Sequence, residues 1–455
     1  MSLDWNGPGR AFRRTAVRIV AFGGALTAGM VAQAQEVDLA ALQEQVAALE
    51  AASSGYVDNT LLFLLSGMVV MFMAAGFCML EGGLVRSKNA AVQSLKNISL
   101  FSVAGIMFYL VGYNLLYPGN WTVEGVLGEF SIWNHSPLDE QHGDYAASSD
   151  WYFQMVFVAT AASIVSGTVA ERIKLWPFLI FVAILTAIIY PIIASWQWGA
   201  GWLYEFGFSD FAGSTLVHST GGWAALVGAL VLGARLGKYG PNGQINPMPG
   251  SNIPMATLGT FILWLGWFGF NGGSQLALGG VENANAVAQI FVNTNMAAAS
   301  GVVAAMAVCV ALYKKVDVTL ALNGAIGGLV SITAEPLMPE MWQACLIGAV
   351  GGVLVVVSVP LLDRLKIDDV VGAIPAHLVC GIWGTLIVPF SNSDVSFLPQ
   401  LVGVVAIGAF ATVASAIVWI ALKATLGIRV SEEEEMDGLD RGETGIEAYP
   451  EFSQR

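Results

Sequence analysis

The sequence predicts an all-α integral membrane protein of 11 transmembrane helices. They form an inverted 5+5 repeat plus a final helix, with the N-terminus outside and the C-terminus inside. Three observations predict this. First, 56% of the 455 residues are hydrophobic and only 11% charged, against roughly 45–50% and 25% in soluble domains. That balance cannot coat a water-facing surface, so lipid must cover much of it. Second, the basic residues fall only in alternate loops. Third, two segments lying five spans apart repeat the same spacing of Asp, Gly and His.

A spanning helix needs about 20 mainly apolar residues. Eleven segments qualify, some shortened by Gly or Pro: 58–80, 95–117, 151–170, 175–196, 212–233, 255–277, 287–312, 318–334, 341–361, 371–389 and 398–424. No polar interval between them is long enough for a separate fold, so residues 58–424 read as one membrane domain.

The first 34 residues resemble a secretory signal. Arg10, Arg13, Arg14 and Arg18 form a basic start, residues 19–31 are apolar, and Ala32-Gln33-Ala34 resembles a cleavage site. An uncleaved extra helix is the alternative, and the apolar run is short for one. Cleavage places the mature N-terminus outside the cytoplasm, in a bacterial periplasm. Residues 35–57 then form an external helix. Within residues 36–52, Leu39, Leu42, Val46 and Leu49 make a short heptad-like stripe, compatible with packing on its own domain or with self-association.

Lys and Arg concentrate in cytoplasmic loops. Starting outside, the inner loops hold Arg86, Lys88 and Lys96; Arg172 and Lys174; Arg235 and Lys238; Lys314 and Lys315; Arg364 and Lys366. The tail, residues 425–455, adds Arg429, Arg441 and Arg455, with Lys423 just before it. The outer loops hold no base but carry acids, among them Glu124, Asp144, Glu205 and Asp394. Miscounting by one helix would scramble this segregation. The net charge of -14 argues against nucleic acid as a partner. Cys78, Cys309, Cys345 and Cys380 sit in apolar stretches without paired spacing, so they read as buried thiols rather than disulfides or metal ligands.

The repeat pairs Asp210-Phe-Ala-Gly213-Ser-Thr-Leu-Val-His218 with Asp369-Val-Val-Gly372-Ala-Ile-Pro-Ala-His377, and a Gly follows four residues after each His (Gly222, Gly381). The copies open the fifth and tenth spans and so enter the membrane from opposite sides, an arrangement that places a site at the midplane. Each Asp precedes an apolar run, where its carboxylate can cap backbone N–H groups. Eight residues of helix carry each His roughly 12 Å deeper, bringing both imidazoles near the centre of a core about 30 Å thick. A buried His is often only a hydrogen-bonded core residue. Two, related by symmetry at that depth, point to function. Each ring can donate at one nitrogen and accept at the other, which suits a small hydrogen-bonding solute or a proton relay.

These residues resemble the ammonium transporter (Amt/Mep/Rh) family, nearer the Amt branch, over about residues 58–450. The resemblance rests on the twin Asp-to-His segments together with Gly82-Gly-Leu-Val-Arg-Ser-Lys-Asn89, Ala170-Glu-Arg172, Gly266-Trp-Phe-Gly-Phe-Asn271 and the tail from Arg429 to Asp440. It says little about residues 1–57 or the loop 118–148.

The resemblance implies a substrate-recruitment site of Phe157, Trp198 and Ser274, favoured electrostatically by Asp210. It further implies a gate of Phe157 and Phe270 and a pore of His218 and His377, with Asp210 and Asp369 as structural caps. Aromatic faces attract a cation, and a hydroxyl accepts one of its N–H bonds. Composition alone could not select these rings among 23 Phe and 14 Trp. Ammonium would be bound outside, lose its proton near the Phe pair and cross as ammonia, with the proton following past the histidines or not. No cofactor, metal or catalytic group is implied. The family also implies a homotrimer in the bacterial inner membrane. Its tail would couple neighbouring subunits and admit a P-II-type signalling protein, although such a charge run is usually only solvated. The rival readings are an ammonium sensor signalling through its tail, a haem protein ligated by His218 and His377, and a generic cation channel.

Overall fold

The computed structural model describes residues 39–134 and 144–452. The predicted signal, residues 1–34, lies outside the described residues. The chain divides into two compact units, Met1–Ala51 and Ala52–Arg455; within the first, Val46 of the heptad-like stripe is exposed. The site belongs to the second.

All eleven predicted segments are helical: α1 (Leu39–Leu84), α2 (Ser87–Leu116), α3 (Ala147–Thr168), α4 (Leu175–Ser195), α5 (Ser214–Leu232), α6 (Ile253–Gly273), α7 (Val281–Tyr313), α8 (Val318–Ile332), α9 (Met341–Arg364), α10 (Ile374–Leu386) and α11 (Phe397–Thr425). Eight, counting Gly55–Leu84 of α1, are long and apolar enough to cross a bilayer. The exceptions are α3, α8 and α10, and their surroundings explain them. Every residue of α3 from Phe153 to Thr168 is buried, so α3 is walled by protein and need not be greasy on all sides. α8 and α10 span 15 and 13 residues, too short for the hydrocarbon thickness. The backbone beyond α8 is satisfied by protein, because the carbonyls of Thr333 and Ala334 accept from the amides of Ala212 and Phe211. Non-helical backbone at depth is tolerated where protein encloses it.

Helices α5 and α10 run antiparallel through the middle. At one end the hydroxyls of Thr215 and Thr385 share a 2.6 Å hydrogen bond. At the other, Arg235, just past α5, donates from Nε to Asp368, just before α10, at 2.9 Å. Close approach at the crossing requires glycine: a Cβ on Gly222 would lie 2.7 Å from the Leu378 Cβ, and one on Gly381 would strike the Ser214 carbonyl. The paired glycines of the repeat thus mark where its two copies touch.

Beyond the Arg235 end lies a charged knot. Asp368 also accepts from the Arg235 amide and Nη2, and Glu171 pairs with Arg86 and Arg235. Burial disfavours the Asp368 carboxylate, but the Arg235 hydrogen bonds and the charges of Arg172 and Arg235 outweigh it, holding this acid well below the usual carboxylate range.

The tail packs against the same end. Its short helix α12 (Glu432–Asp437) opens with a Ser431–Glu434 capping box. Asp440 caps α2 through the amides of Ala91 and Val92, at 3.0 and 2.8 Å. Glu435, 2% exposed, receives Arg429 at 2.7 Å and the Leu236 amide at 2.7 Å. The charge run that composition alone would leave solvated is therefore partly docked. Lys96 also departs from the inner-loop grouping, since it lies inside α2 and is 1% exposed.

Candidate functional site

Both histidines occupy wide π-helical turns that open their helices, Ser214–Ser219 for His218 and Ile374–Val379 for His377. Such turns cost regular hydrogen bonding and recur at functional sites. Each follows a glycine in the left-handed region, Gly213 at φ 107° and Gly372 at φ 79°, which accounts for the Asp-x-x-Gly spacing.

The aspartates satisfy the amides these turns leave open. Asp210 is fully buried. Its Oδ1 accepts from the amides of Gly213 and Ser214 at 3.0 and 2.8 Å, and its Oδ2 from those of Thr215 and Leu216, both at 2.8 Å. Its backbone carbonyl accepts from the Trp198 indole at 3.0 Å. Asp369 accepts the Ile374 amide at 2.7 Å and the Thr168 hydroxyl at 3.0 Å. The Asp210 carboxylate is engaged by backbone, and what it presents to the neighbouring cavity is a fixed indole.

That cavity, of about 210 Å³, is lined by Phe157, Trp198 and Ser274 together with Gln154, Gln197 and Phe211. The Ser274 hydroxyl donates to the Phe270 carbonyl at 2.8 Å, so its lone pairs remain to accept. Phe157, in the cavity wall, stacks on Phe270 with ring centroids 3.9 Å apart and planes at 21°, both rings buried. Trp198 stands edge-on to Phe157 at 6.1 Å.

Behind the stacked pair the rings continue in file. His218 lies 5.2 Å from Phe270 and 5.3 Å from His377, centroid to centroid. The two imidazoles share a hydrogen bond between their Nδ1 atoms at 3.2 Å, so one donates and the other accepts. Both are buried, His218 completely, and the His218 Nε2 has no partner among the described residues. Buried polar atoms are nearly always bonded, so an unpaired imidazole nitrogen in a line of rings is suited to a guest that donates or accepts one hydrogen bond.

The structure brings Phe157, Trp198, Ser274, Phe270, His218 and His377 into one continuous file, with Asp210 and Asp369 at the openings of the helices that carry the histidines. Motif reasoning did not single out Trp267, which stacks on His218 at 4.9 Å and donates to the Thr333 hydroxyl at 2.8 Å. It occupies the helical position three before Phe270, a spacing that places both on one face. Phe77, whose ring lies 6.3 Å from His377, carries no sequence signal that distinguishes it from other apolar residues of α1. Two histidines joined to each other through Nδ1 make a poor metal centre, and among the described residues no group of three metal-ligating side chains occurs.

A model of the Ammonium Transporter Family matches residues 61–449. The ammonium transporter Amt2 of Archaeoglobus fulgidus is 40% identical over 421 residues, covering 86% of this chain and 87% of that protein. Amt1 of Haloferax mediterranei is 37% identical over 415 residues, covering 87% and 80%. Among solved structures, a Sensor Amt Protein superposes with a TM-score of 0.81 at 35% identity, covering 86% of this chain and 99% of that one. Mep2 of Candida albicans gives 0.77 at 27%, covering 89% and 94%. With that family model matched along most of its length, helices long and apolar enough to cross a membrane, and relatives that are ammonium transporters, this chain belongs to the ammonium transporter family.

Proposed function

We propose that the chain conducts ammonia after capturing ammonium in the Trp198 cavity and stripping its proton at the stacked phenyl pair. The observation that carries this reading is the buried His218–His377 pair directly behind Phe157 and Phe270. Moving a bare cation into so apolar a passage costs several kcal/mol at least, whereas neutral ammonia meets imidazole nitrogens able to replace its lost water bonds. The recruitment roles follow: Trp198 and Phe157 offer aromatic faces, worth about 2 kcal/mol when desolvated, and Ser274 accepts an N–H. Potassium cannot shed a charge and is refused. The proton crosses separately, using the shared Nδ1 bond as one link of its route.

The proposal includes eleven crossings in an inverted 5+5 repeat plus a final helix, residues 1–34 as a cleaved signal, and residues 35–57 on the periplasmic side. The tail faces the cytoplasm of a bacterium, where it couples the subunits of a homotrimer and receives a P-II-type protein. The basic loops and the antiparallel crossing of α5 and α10 support that arrangement.

The decisive experiment reconstitutes the protein in liposomes and records current and luminal pH after jumps of ammonium or potassium. Ammonium gives a signal and potassium none. H218A and H377A each abolish the current. Undiminished current in both variants overturns the histidine route, and an equal response to potassium overturns the deprotonation step. Likeness to a Sensor Amt Protein supports a second reading, in which ammonium binding is signalled through the tail and little is conducted. Binding without any flux would favour it.

A further inference from the structure

We propose that Glu81 is a proton-relay residue on the cytoplasmic side of the histidine pair, receiving the proton that leaves His377 and passing it to the inner cavity. The proposal rests on the reading that proton and ammonia cross separately.

Glu81 and Lys96 are each 1% exposed and lie within the spans of α1 and α2. Ionisable groups at such depth are costly and as a rule functional. They are not in direct contact. Gln93 bridges them, its amide nitrogen donating to Glu81 and its oxygen accepting from Lys96 at 3.1 Å. Ser166 does the same, its hydroxyl donating to Glu81 at 3.0 Å and its carbonyl accepting from Lys96 at 2.9 Å. Lys96 also stands 4.8 Å over the Phe178 ring. A pair built only to lock helices would close into a salt bridge, whereas here each ion has its own support.

The carboxylate is asymmetric. Among the described residues its Oε2 takes all three of its hydrogen bonds, from Gln93, Asn97 and Ser166. None reaches Oε1, which lies 3.0 Å from the position a Cβ on Gly167 would occupy, a point also in contact with the Val371 side chain. Val371 and Asp369 line a cavity of about 350 Å³ at the end of the molecule that carries Arg235 and Lys238. Thr168, the residue after Gly167, donates to Asp369. In the other direction, Phe77 lies one helical turn before Glu81 on the same face of α1, and its ring faces His377. Glu81 thus shares its face of α1 with Phe77, which adjoins His377, and turns an oxygen outside its hydrogen-bond network toward the Gly167–Val371 wall of the inner cavity. The other ionisable groups facing it among the described residues are Lys96 on α2 and Cys78 on α1; Asp369, in the turn before α10, lies beyond Thr168 of α3.

The step conserves charge. The proton released by the His377 ring reaches Oε1 by way of water, a neutral carboxyl forms, and the carboxylate is restored as the proton leaves to the inner cavity. Ammonia exits past it and regains a proton in the cytosol.

The test is E81Q in proteoliposomes, with ammonium-evoked current and ammonia-driven luminal alkalinisation recorded on the same preparation. Glutamine keeps one oxygen for the three donors, so the network stays filled. The expected result is a current reduced about tenfold or more, the scale of losing a proton-transfer group, with ammonia flux near wild type. E81Q/K96Q, which removes both charges, repeats the measurement should the single variant insert poorly. Current equal to wild type overturns the proposal, as does a parallel fall of current and flux, the signature of a merely structural pair. A wild-type protein that passes ammonia without current refutes the separate proton route itself, and Glu81 with it.

Discussion

Replacing Asp210 by Asn separates two roles that the recruitment reading merges. The carboxylate holds four backbone amides, two on each oxygen, in a fully buried setting. Asparagine is nearly isosteric but exchanges one oxygen for an NH₂ group, which faces two N–H donors with a donor of its own. Each orphaned buried donor costs about 1–3 kcal/mol, so D210N is destabilised by about 2–6 kcal/mol, and the opening turn of α5 that carries His218 loosens first. The Trp198 indole, bonded to the Asp210 carbonyl, shifts with it. Thermal unfolding in detergent, followed by tryptophan fluorescence, is expected to show a lowered midpoint together with lost transport. A variant that unfolds with wild type yet transports nothing would refute this reasoning, because the negative charge alone would then be what the site requires.

Three further outcomes follow from the geometry. Gly222→Ala places a methyl 2.7 Å from the Leu378 Cβ; overpacking of this kind costs about 1–3 kcal/mol, and α5 and α10 are expected to separate, with transport lost while the protein still inserts. Asp368 is held below the free Asp value of about 3.9, so the unfolded chain takes up its proton first. The stabilisation from this acid is present above about pH 4 and drains away as pH falls towards the depressed folded value. D368N, which breaks a buried pair at a cost of about 3–5 kcal/mol, lowers the unfolding midpoint at pH 7 and flattens its acid dependence below about pH 4. Asp440→Ala removes the cap on Ala91 and Val92, and faster tryptic cleavage at Arg429 and Arg441 is expected, with the membrane core intact.

Much of the architecture was legible in the amino-acid order because lipid imposes a simple test on it. An all-helical chain in a bilayer must close its own backbone hydrogen bonds, so length and apolarity locate helices, and all eleven segments are helical. The test weakens where protein replaces lipid. α3, with Asp150, Gln154 and Ser166 on its length, is less apolar than the eight, and α8 and α10 are shorter, because their neighbours supply what a bilayer-facing helix must supply itself. The twin Asp-Gly-His-Gly spacing was equally visible, since backbone geometry demands glycine at Gly213 and Gly372 and at the crossing.

What the amino-acid order determined by itself was the helical membrane class and the occurrence of two histidines at matching positions in two like segments. Tertiary structure alone decided which atoms meet: the Nδ1–Nδ1 bond, the 3.9 Å stack of Phe157 on Phe270, the docking of an acidic tail, and the separation of Glu81 from Lys96 by one amide and one serine. The physical reason is range. Periodicity and capping act over a few residues, whereas each of these contacts joins helices far apart in the chain, and its geometry is set by packing that no local pattern encodes.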